Sequence, residues 1–338
     1  MATVPMTTTI PSTSPLSEFS LIDRFFAHAT RQSEHVTLGI GDDCALLRPP
    51  AGEQIAISTD MLVEGRHFFP DVDPCALGHK TLAVNLSDLA AMGARPMGFT
   101  LALALPDSDP TWLAPFAQGL SALADRYGCP LIGGDTTRGP RNLCVTIFGS
   151  VPDTQALRRS AAQPGDDIWV SGTLGDARLA LGALRGEWSL QADDLALARH
   201  AMDWPEPQIS LGLALRGVAR AALDISDGLL GDLGHILERS NVSAQVNVDA
   251  LPRSALLSSQ TPAVQRRCTL AGGDDYQLCF CADSAQRHRI AAIGDELGIR
   301  VTRIGTIAVP DARQTMLQLH DNTGAAVVAD FKSFDHFQ

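Results

Sequence analysis

Five short segments of this 338-residue chain set aspartates beside glycine, serine, threonine or asparagine: GIGDD (39–43), STD (58–60), NLSD (85–88), GGDTTRG (133–139) and DISDG (224–228). Taken singly, each reads as a turn or a helix cap, because Gly, Asp and Ser favour such positions for steric and hydrogen-bonding reasons. Asp42 and Asp43, behind Gly41 and ahead of an apolar run, fit that reading. Taken together the segments point to another use. Two carboxylates about 4 Å apart repel by roughly 4 kcal/mol at an effective dielectric near 20. A few such pairs rival the roughly 5–15 kcal/mol that holds a whole domain together. If these aspartates converge they must hold cations, and a donor set of carboxylate oxygens and water selects Mg²⁺.

Other catalytic signatures are missing. There is no GxxxxGK[ST] loop, Gly39 and Gly41 do not complete GxGxxG, and GxSxG, HExxH and the kinase HRD are absent. Lys80 and Lys332 are the only lysines, so an anionic substrate has to be held by arginine, backbone amides or metal ions. The formal charge of −12 argues against a nucleic-acid partner, because phosphate backbones need a basic surface. Lys80 is placed at the start of a helix and read as structural, and Arg138 and Arg141, which could steer anions or be ordinary loop residues, are left out of the site. His67, judged on its own, is a surface or packing residue.

The elements that must position these segments follow from periodicity. SEFSLIDRFFAHAT (17–30) repeats apolar residues at helical spacing, and LGHKTLAVNLSDLAAMG (77–93) and WLAPFAQGLSALADRYG (112–128) are two further helices. Gly93 stops the second of these, with Pro96 just beyond. QIAISTD (54–60), TLALALP (100–106) and NLCVTIFGSV (142–151) read as strands. DIWVSG (167–172), RAALDIS (220–226), YQLCFCA (276–282) and RVTRIGTI (300–307) are strands of a second half, with helices in DARLALGALRG (176–186) and DGLLGDLGHILERS (227–240). Strands alternating with helices indicate a layered α/β or α+β architecture. On this reading Asp60 closes a strand, Asp135 follows a glycine pair after CPLI, and Asp224 ends a short strand. Ser226 caps a helix that begins at Asp227. Asp88 lies on a polar stripe with Thr81, Asn85 and Met92.

The polar stretch VPDTQALRRSAAQPGDD (151–167) marks a boundary. It divides the chain into a disordered Ser/Thr/Pro-rich tail (1–16), an N-terminal domain (17–152) and a C-terminal domain (160–338). No window is apolar enough to cross a membrane. The seven cysteines form no CxxC pair, and Cys279 and Cys281 read as small buried hydrophobes. A reduced, cytoplasmic setting is expected.

GIGDDCALL, ISTDMLVEGRHF, AVNLSDLAAMGARP, LIGGDTTRGP, DISDGLLGDLGHI and AGGDDYQLCF, in that order, resemble the thiamine-monophosphate kinase family over nearly all the chain from Phe19 to the closing FDHF. The resemblance implies an N-terminal α+β domain whose sheet pairs with a second subunit as a dimer β-barrel, and a C-terminal α/β domain covering the active-site cleft. It implies transfer of the γ-phosphoryl group of ATP to thiamine monophosphate in a homodimer, with several Mg²⁺ ions. By similarity Asp43, Ser58, Thr59, Asp60, Asp88, Asp135, Asp224 and Asp227 are metal ligands. Gly134, Asp135, Arg159 and Ser226 match positions that touch ATP, and His67, Asp274 and Phe334 match substrate contacts. The family commonly has GGEDYE where this chain has GGDDYQ, and often Tyr where it has Phe334. No covalent nucleophile or general base is expected: a phosphate monoester, with its second pKa near 6, attacks as a dianion at neutral pH. Selenophosphate synthetase, which shares the ATP-binding fold, would show a reactive Cys with a nearby Lys near its N-terminus, and this chain has neither.

Overall fold

The structure is a computed structural model and describes residues 18–26, 33–311, 313–329, 331, 333 and 334. The tail expected over 1–16, the end of the first expected helix and the residues after Phe334 lie outside the described residues. The elements run α1 (Glu18–Phe25), β1 (Val36–Leu38), β2 (Leu46–Leu47), β3 (Glu53–Val63), α2 (Pro74–Ala91), β4 (Arg95–Leu105), α3 (Pro110–Tyr127), β5 (Leu131–Arg138) and β6 (Asn142–Pro152). They continue through β7 (Asp167–Ser171), α4 (Asp176–Leu184), α5 (Ala192–Asp203), α6 (Ile209–Ala214), β8 (Ala221–Asp224), α7 (Leu229–Ser240), β9 (Ser243–Asn247) and α8 (Ala255–Ser258). The last are α9 (Pro262–Ala271), β10 (Leu278–Ala282), α10 (Arg287–Leu297), β11 (Val301–Ala308) and β12 (Leu317–His320).

The first half builds a sheet in the order β3-β6-β4-β5, antiparallel except between β4 and β5. β3 and β5 are its edges, so among the described residues a single chain closes no barrel. Pro96, expected just past a helix end, lies inside β4. It pairs with Gly149 beside a register shift, before β5 joins the other flank, where a missing N–H is tolerated.

The second half builds a sheet in the order β12-β9-β11-β7-β10-β8. Only β12 and β9 pair in parallel, so this half is α+β and departs from the α/β arrangement the resemblance implied. The crossover α4–α6 carries the chain from β7 to β8, but β10 inserts between them in the opposite direction. A helical crossover yields a parallel ladder only when the strands it joins are neighbours.

Helix α2 holds the two halves together. Asp73 caps it, accepting from the Cys75 amide at 3.2 Å, and Pro74 starts it with a φ already suited to a helix. Residues 76–87 are buried without a break. One side packs on α3, so closely that a Cβ on Gly119 would stand 1.9 Å from the Cys75 carbonyl oxygen. The other side meets α6, where a Cβ on Gly212 would reach within 2.1 Å of the Ala90 carbonyl oxygen. One apolar core runs through this helix from Phe99 and Ile147 of the first sheet to Trp169 and Phe280 of the second. A helix buried all round is normally apolar, yet this one carries His79, Lys80, Thr81, Asn85 and Ser87 inside. Lys80, Asn85 and Ser87, with Asp88, lead to the site.

Candidate active site

The acidic residues meet where α2 passes between β3 and β8. Along β3 side chains alternate, so Ser58 and Asp60 point toward α2 while Thr59 faces away. Ser58 Oγ donates to Asp88 Oδ2, and the Asp60 amide donates to Asn85 Oδ1 at 3.2 Å. The carboxyls of Asp60 and Asp88 stand close enough to act on each other's charge. From the other half, Asp224 ends β8 buried and accepts from Ser87 Oγ at 2.7 Å. Asp60 lies in the middle of its strand and not at its close, because pairing with β6 continues to Val63.

The turn after β8 is built by a residue that motif reading passed over. Asp232 Oδ2 accepts from the amides of Ser226, Asp227 and Gly228 at 3.1, 3.1 and 3.0 Å. The helix therefore starts at Leu229, and Ser226 does not cap it as expected. The Gly272–Gln277 loop is zipped onto the same turn, with the Asp274 amide donating to Ser226 O at 2.9 Å and the Tyr276 amide to Ile225 O at 2.8 Å. Asp274 and Tyr276 both adopt positive φ, 64° and 48°, a conformation that L-residues keep only where the surroundings enforce it.

The cluster carries more negative charge than its surroundings offset. Burial, then the charges of Asp88 and Asp224, pushes the Asp60 carboxyl up to about 7. Burial and the Asp88 charge push Asp224 up to about 7 as well. Burial raises Asp88, against the opposing pull of the Ser58 hydroxyl and the Arg159 guanidinium. Among the described residues, no three His, Cys, Asp or Glu stand so as to cage a metal by themselves. The donors are all oxygens, and Mg²⁺ is commonly held by one or two carboxylates, waters and substrate phosphates, so the donor chemistry fits that ion.

Two cavities meet at this cluster. The larger, about 1040 Å³, is walled by Asp60, Asp88, Asp224 and Asp227, and farther out by His67, Lys80, Asp274 and Phe334. His67 Nδ1 accepts from the Val63 amide at 3.0 Å. The Phe334 amide donates to Asp227 O at 3.1 Å, and its ring lies under the Arg66 guanidinium, 4.5 Å away. The smaller cavity, about 640 Å³, is walled by Ser58, Asp88, Asp224, Arg158, Arg159 and Arg239. Asp88 and Asp224 belong to both walls.

Other expected site residues lie elsewhere. Asp43 is exposed in a turn, its amide donating to Asp42 Oδ1 at 3.1 Å. Thr59 is exposed on the far face of β3, with its Oγ1 2.9 Å from Thr146 Oγ1. Gly134 and Asp135 belong to strand β5 and not to a turn, with Asp135 exposed. Gly134 is required where it stands: φ is +152° and a Cβ would come within 1.9 Å of the Leu101 carbonyl oxygen.

Lys80, expected at a helix start, sits in the second turn of α2, buried, with Nζ 3.0 Å from Asp274 Oδ2. The signal was in the sequence: Lys80, Val84 and Asp88 are spaced i, i+4, i+8 and share one helix face. Ser240 also escaped notice. Its hydroxyl donates to Arg159 O at 2.7 Å and accepts from the Ala162 amide at 3.1 Å, pinning the loop that carries Arg159. Nothing local in the sequence marks it.

Comparison with known proteins agrees along the chain. Residues 41–151 match the family described as AIR synthase related protein, N-terminal domain, and 163–314 match its C-terminal domain. The thiamine-monophosphate kinase of Salmonella typhimurium is 45% identical over 324 residues, 95% of this chain and 98% of that protein. That of Escherichia coli K12 is 45% identical over 325 residues, with the same coverage. A crystal structure of thiamine-monophosphate kinase from Stenotrophomonas maltophilia K279a is 48% identical, with a TM-score of 0.82 over 93% of this chain and 99% of that one. AaThiL complexed with AMPPCP and TMP is 27% identical, with a TM-score of 0.72 over 85% of this chain and 88% of that one. The hydrogenase maturation protein HypE of E. coli, 19% identical with a TM-score of 0.73, shares the fold.

Proposed function

Because this chain belongs to the thiamine-monophosphate kinase family, we propose that it phosphorylates thiamine monophosphate with ATP by direct, in-line, Mg²⁺-assisted transfer. The observation that carries this reading is the wall shared by the two cavities, formed by Asp88 and Asp224. The smaller cavity, with Arg158, Arg159 and Arg239, suits the nucleotide polyphosphate. The larger, with His67, Asp274 and Phe334, suits the acceptor. Donor and acceptor would then meet at the shared carboxylates, where an in-line displacement needs them.

Asp60, Asp88, Asp224 and Asp227 are the residues that would hold Mg²⁺, which when bound offsets the charge of two phosphate groups brought together. Arg159 opposes the charge of Asp88 and Asp224 from the nucleotide side. Asp232 and Ser87 hold the turn and Asp224 in place. No side chain need take a proton, since the acceptor phosphate is largely dianionic above its second pKa near 6.

We further propose a homodimer formed through the uncovered face of the first sheet. Ile55, Ile57 and Met61 of β3 stand 44%, 63% and 51% exposed along it, an apolar row that a second copy would cover. Among the described residues no helix is long and apolar enough to cross a membrane. The seven cysteines are free, which suits a reducing cytoplasm.

A coupled assay with ATP, Mg²⁺ and thiamine monophosphate tests the activity. The configuration at a chiral γ-phosphorus tests the route. Inversion is expected, and retention would demand a phosphorylated enzyme and exclude direct transfer.

A further inference from the structure

Lys80 is the one lysine among the described residues, and it is buried in the wall of the larger cavity. It shares a face of α2 with Val84 and Asp88, and all three line that cavity. Eight residues of helix place Lys80 about 12 Å from Asp88 along the axis. An acceptor whose phosphate lies at Asp88 would therefore present its far end to Lys80. There Lys80 Nζ stands 3.0 Å from Asp274 Oδ2, while Tyr276 Oη donates to Asp274 Oδ1 at 3.1 Å. Tyr276 is itself buried, and the loop holds Asp274 and Tyr276 at positive φ. The carboxylate is thus oriented from two sides.

This arrangement has specific hydrogen-bonding capacity. A lysine ammonium carries three N–H donors, and Asp274 uses one. The carboxylate has about four acceptor positions, of which Lys80 and Tyr276 occupy one each. Because Lys80 and Asp274 cancel in charge, the pair sorts ligands by hydrogen-bond polarity and does not repel a cationic ring.

We propose that Lys80 is a specificity-determining residue that acts with Asp274 to read the edge of a 4-aminopyrimidine. Asp274 accepts from the exocyclic amine, and Lys80 donates to the adjacent ring nitrogen. The inference rests on the reading of thiamine monophosphate as acceptor and adds a contact to it. A lysine kept only to neutralise a half-buried carboxylate would not distinguish a ring nitrogen from a ring CH.

The test pairs a ligand change with a protein change. Thiamine monophosphate is compared with its deaza analogue, in which CH replaces the ring nitrogen beside the amine. The unaltered enzyme should prefer the natural acceptor by tenfold or more in kcat/KM; a smaller preference overturns the proposal, and this arm needs no variant to fold. In Lys80→Met, of similar length but lacking the donor, the preference should fall below threefold, with KM for the acceptor raised and KM for ATP little changed. A preference of threefold or more in Lys80→Met would mean that the ring nitrogen is read by another group. Should Lys80→Met fail to fold, Lys80→Gln, which is shorter and lacks the ammonium, takes its place, and its preference should fall clearly below that of the unaltered enzyme; an undiminished preference in that variant overturns the proposal. Absence of any turnover of thiamine monophosphate by the unaltered enzyme would overturn the functional reading itself, and this inference with it.

Discussion

Ser87 Oγ donates to Asp224 Oδ2 at 2.7 Å, a bond between residues 137 positions apart that ties α2 to the end of β8. Its neighbour Asp88 is held by Ser58 of β3. Adjacent residues of one helix therefore fix carboxylates from both halves of the molecule, and the two cavities meet at that point. The expected consequences can each be measured.

Asp60→Asn and Asp88→Asn should each abolish phosphoryl transfer without unfolding the protein. Each replacement keeps the shape of the side chain and removes one charge from a group of like charges, so the thermal midpoint should hold or rise in metal-free buffer. Turnover within about tenfold of the unaltered enzyme, roughly 1.4 kcal/mol in the barrier, would remove these residues from the mechanism.

Chelation should stop the reaction, and added Mg²⁺ should restore it. Ca²⁺ should substitute poorly, because its longer and less regular coordination leaves the phosphates misaligned. Undiminished activity in excess EDTA would rule out the assisted route.

Asp232→Ala should damage both stability and catalysis, since three backbone amides lose their acceptor. Unmade hydrogen bonds of one buried and two half-buried amides suggest a loss of roughly 2 kcal/mol in urea unfolding. Asp232→Asn keeps an acceptor oxygen and should lose clearly less of both. Equal behaviour of the two variants would show that the turn does not depend on that oxygen.

A pH-dependent stability difference is expected at the sheet of the second half. Burial works to raise the Asp167 carboxyl, but hydrogen bonds from Arg287 and Arg303 outweigh it and hold it below its ordinary value of 3.8. A depressed carboxylate pKa adds stability above the ordinary value, and that stability is lost as pH falls through the folded value. Arg287→Ala should therefore lower stability at neutral pH, by an amount that solvent around the exposed arginine keeps small. Denaturant titrations should show the deficit shrinking as pH drops below about 4, the ordinary carboxylate range. A deficit that is constant with pH would point to lost packing.

Ile57→Asp should yield a monomer in sedimentation, because it puts a charge in the middle of the apolar row on β3. A dimer of unchanged stability would locate the interface on another surface.

Much of this was legible in the residues themselves. Hydrophobic periodicity marked α2, α3 and the strands β3, β4 and β6, because a buried face imposes its repeat on the sequence. The aspartate segments and their order sufficed to mark a carboxylate site and to show the family resemblance. Local patterning could not say which of these aspartates meet. Ser58 and Thr59 are neighbours in sequence but face opposite sides of β3, and GGDTTRG, which reads as a turn, is drawn into β5 by pairing with β4. Ser226 reads as a cap until Asp232 is seen to hold its amide. Lys80 looks structural until Asp274, brought in by a loop from the other half, lies against it. Composition, periodicity and short motifs describe what each residue can do within a few neighbours of itself. Which residues act together depends on contacts between α2 and strands far from it in sequence, and only the packing of the two sheets around that helix decided them.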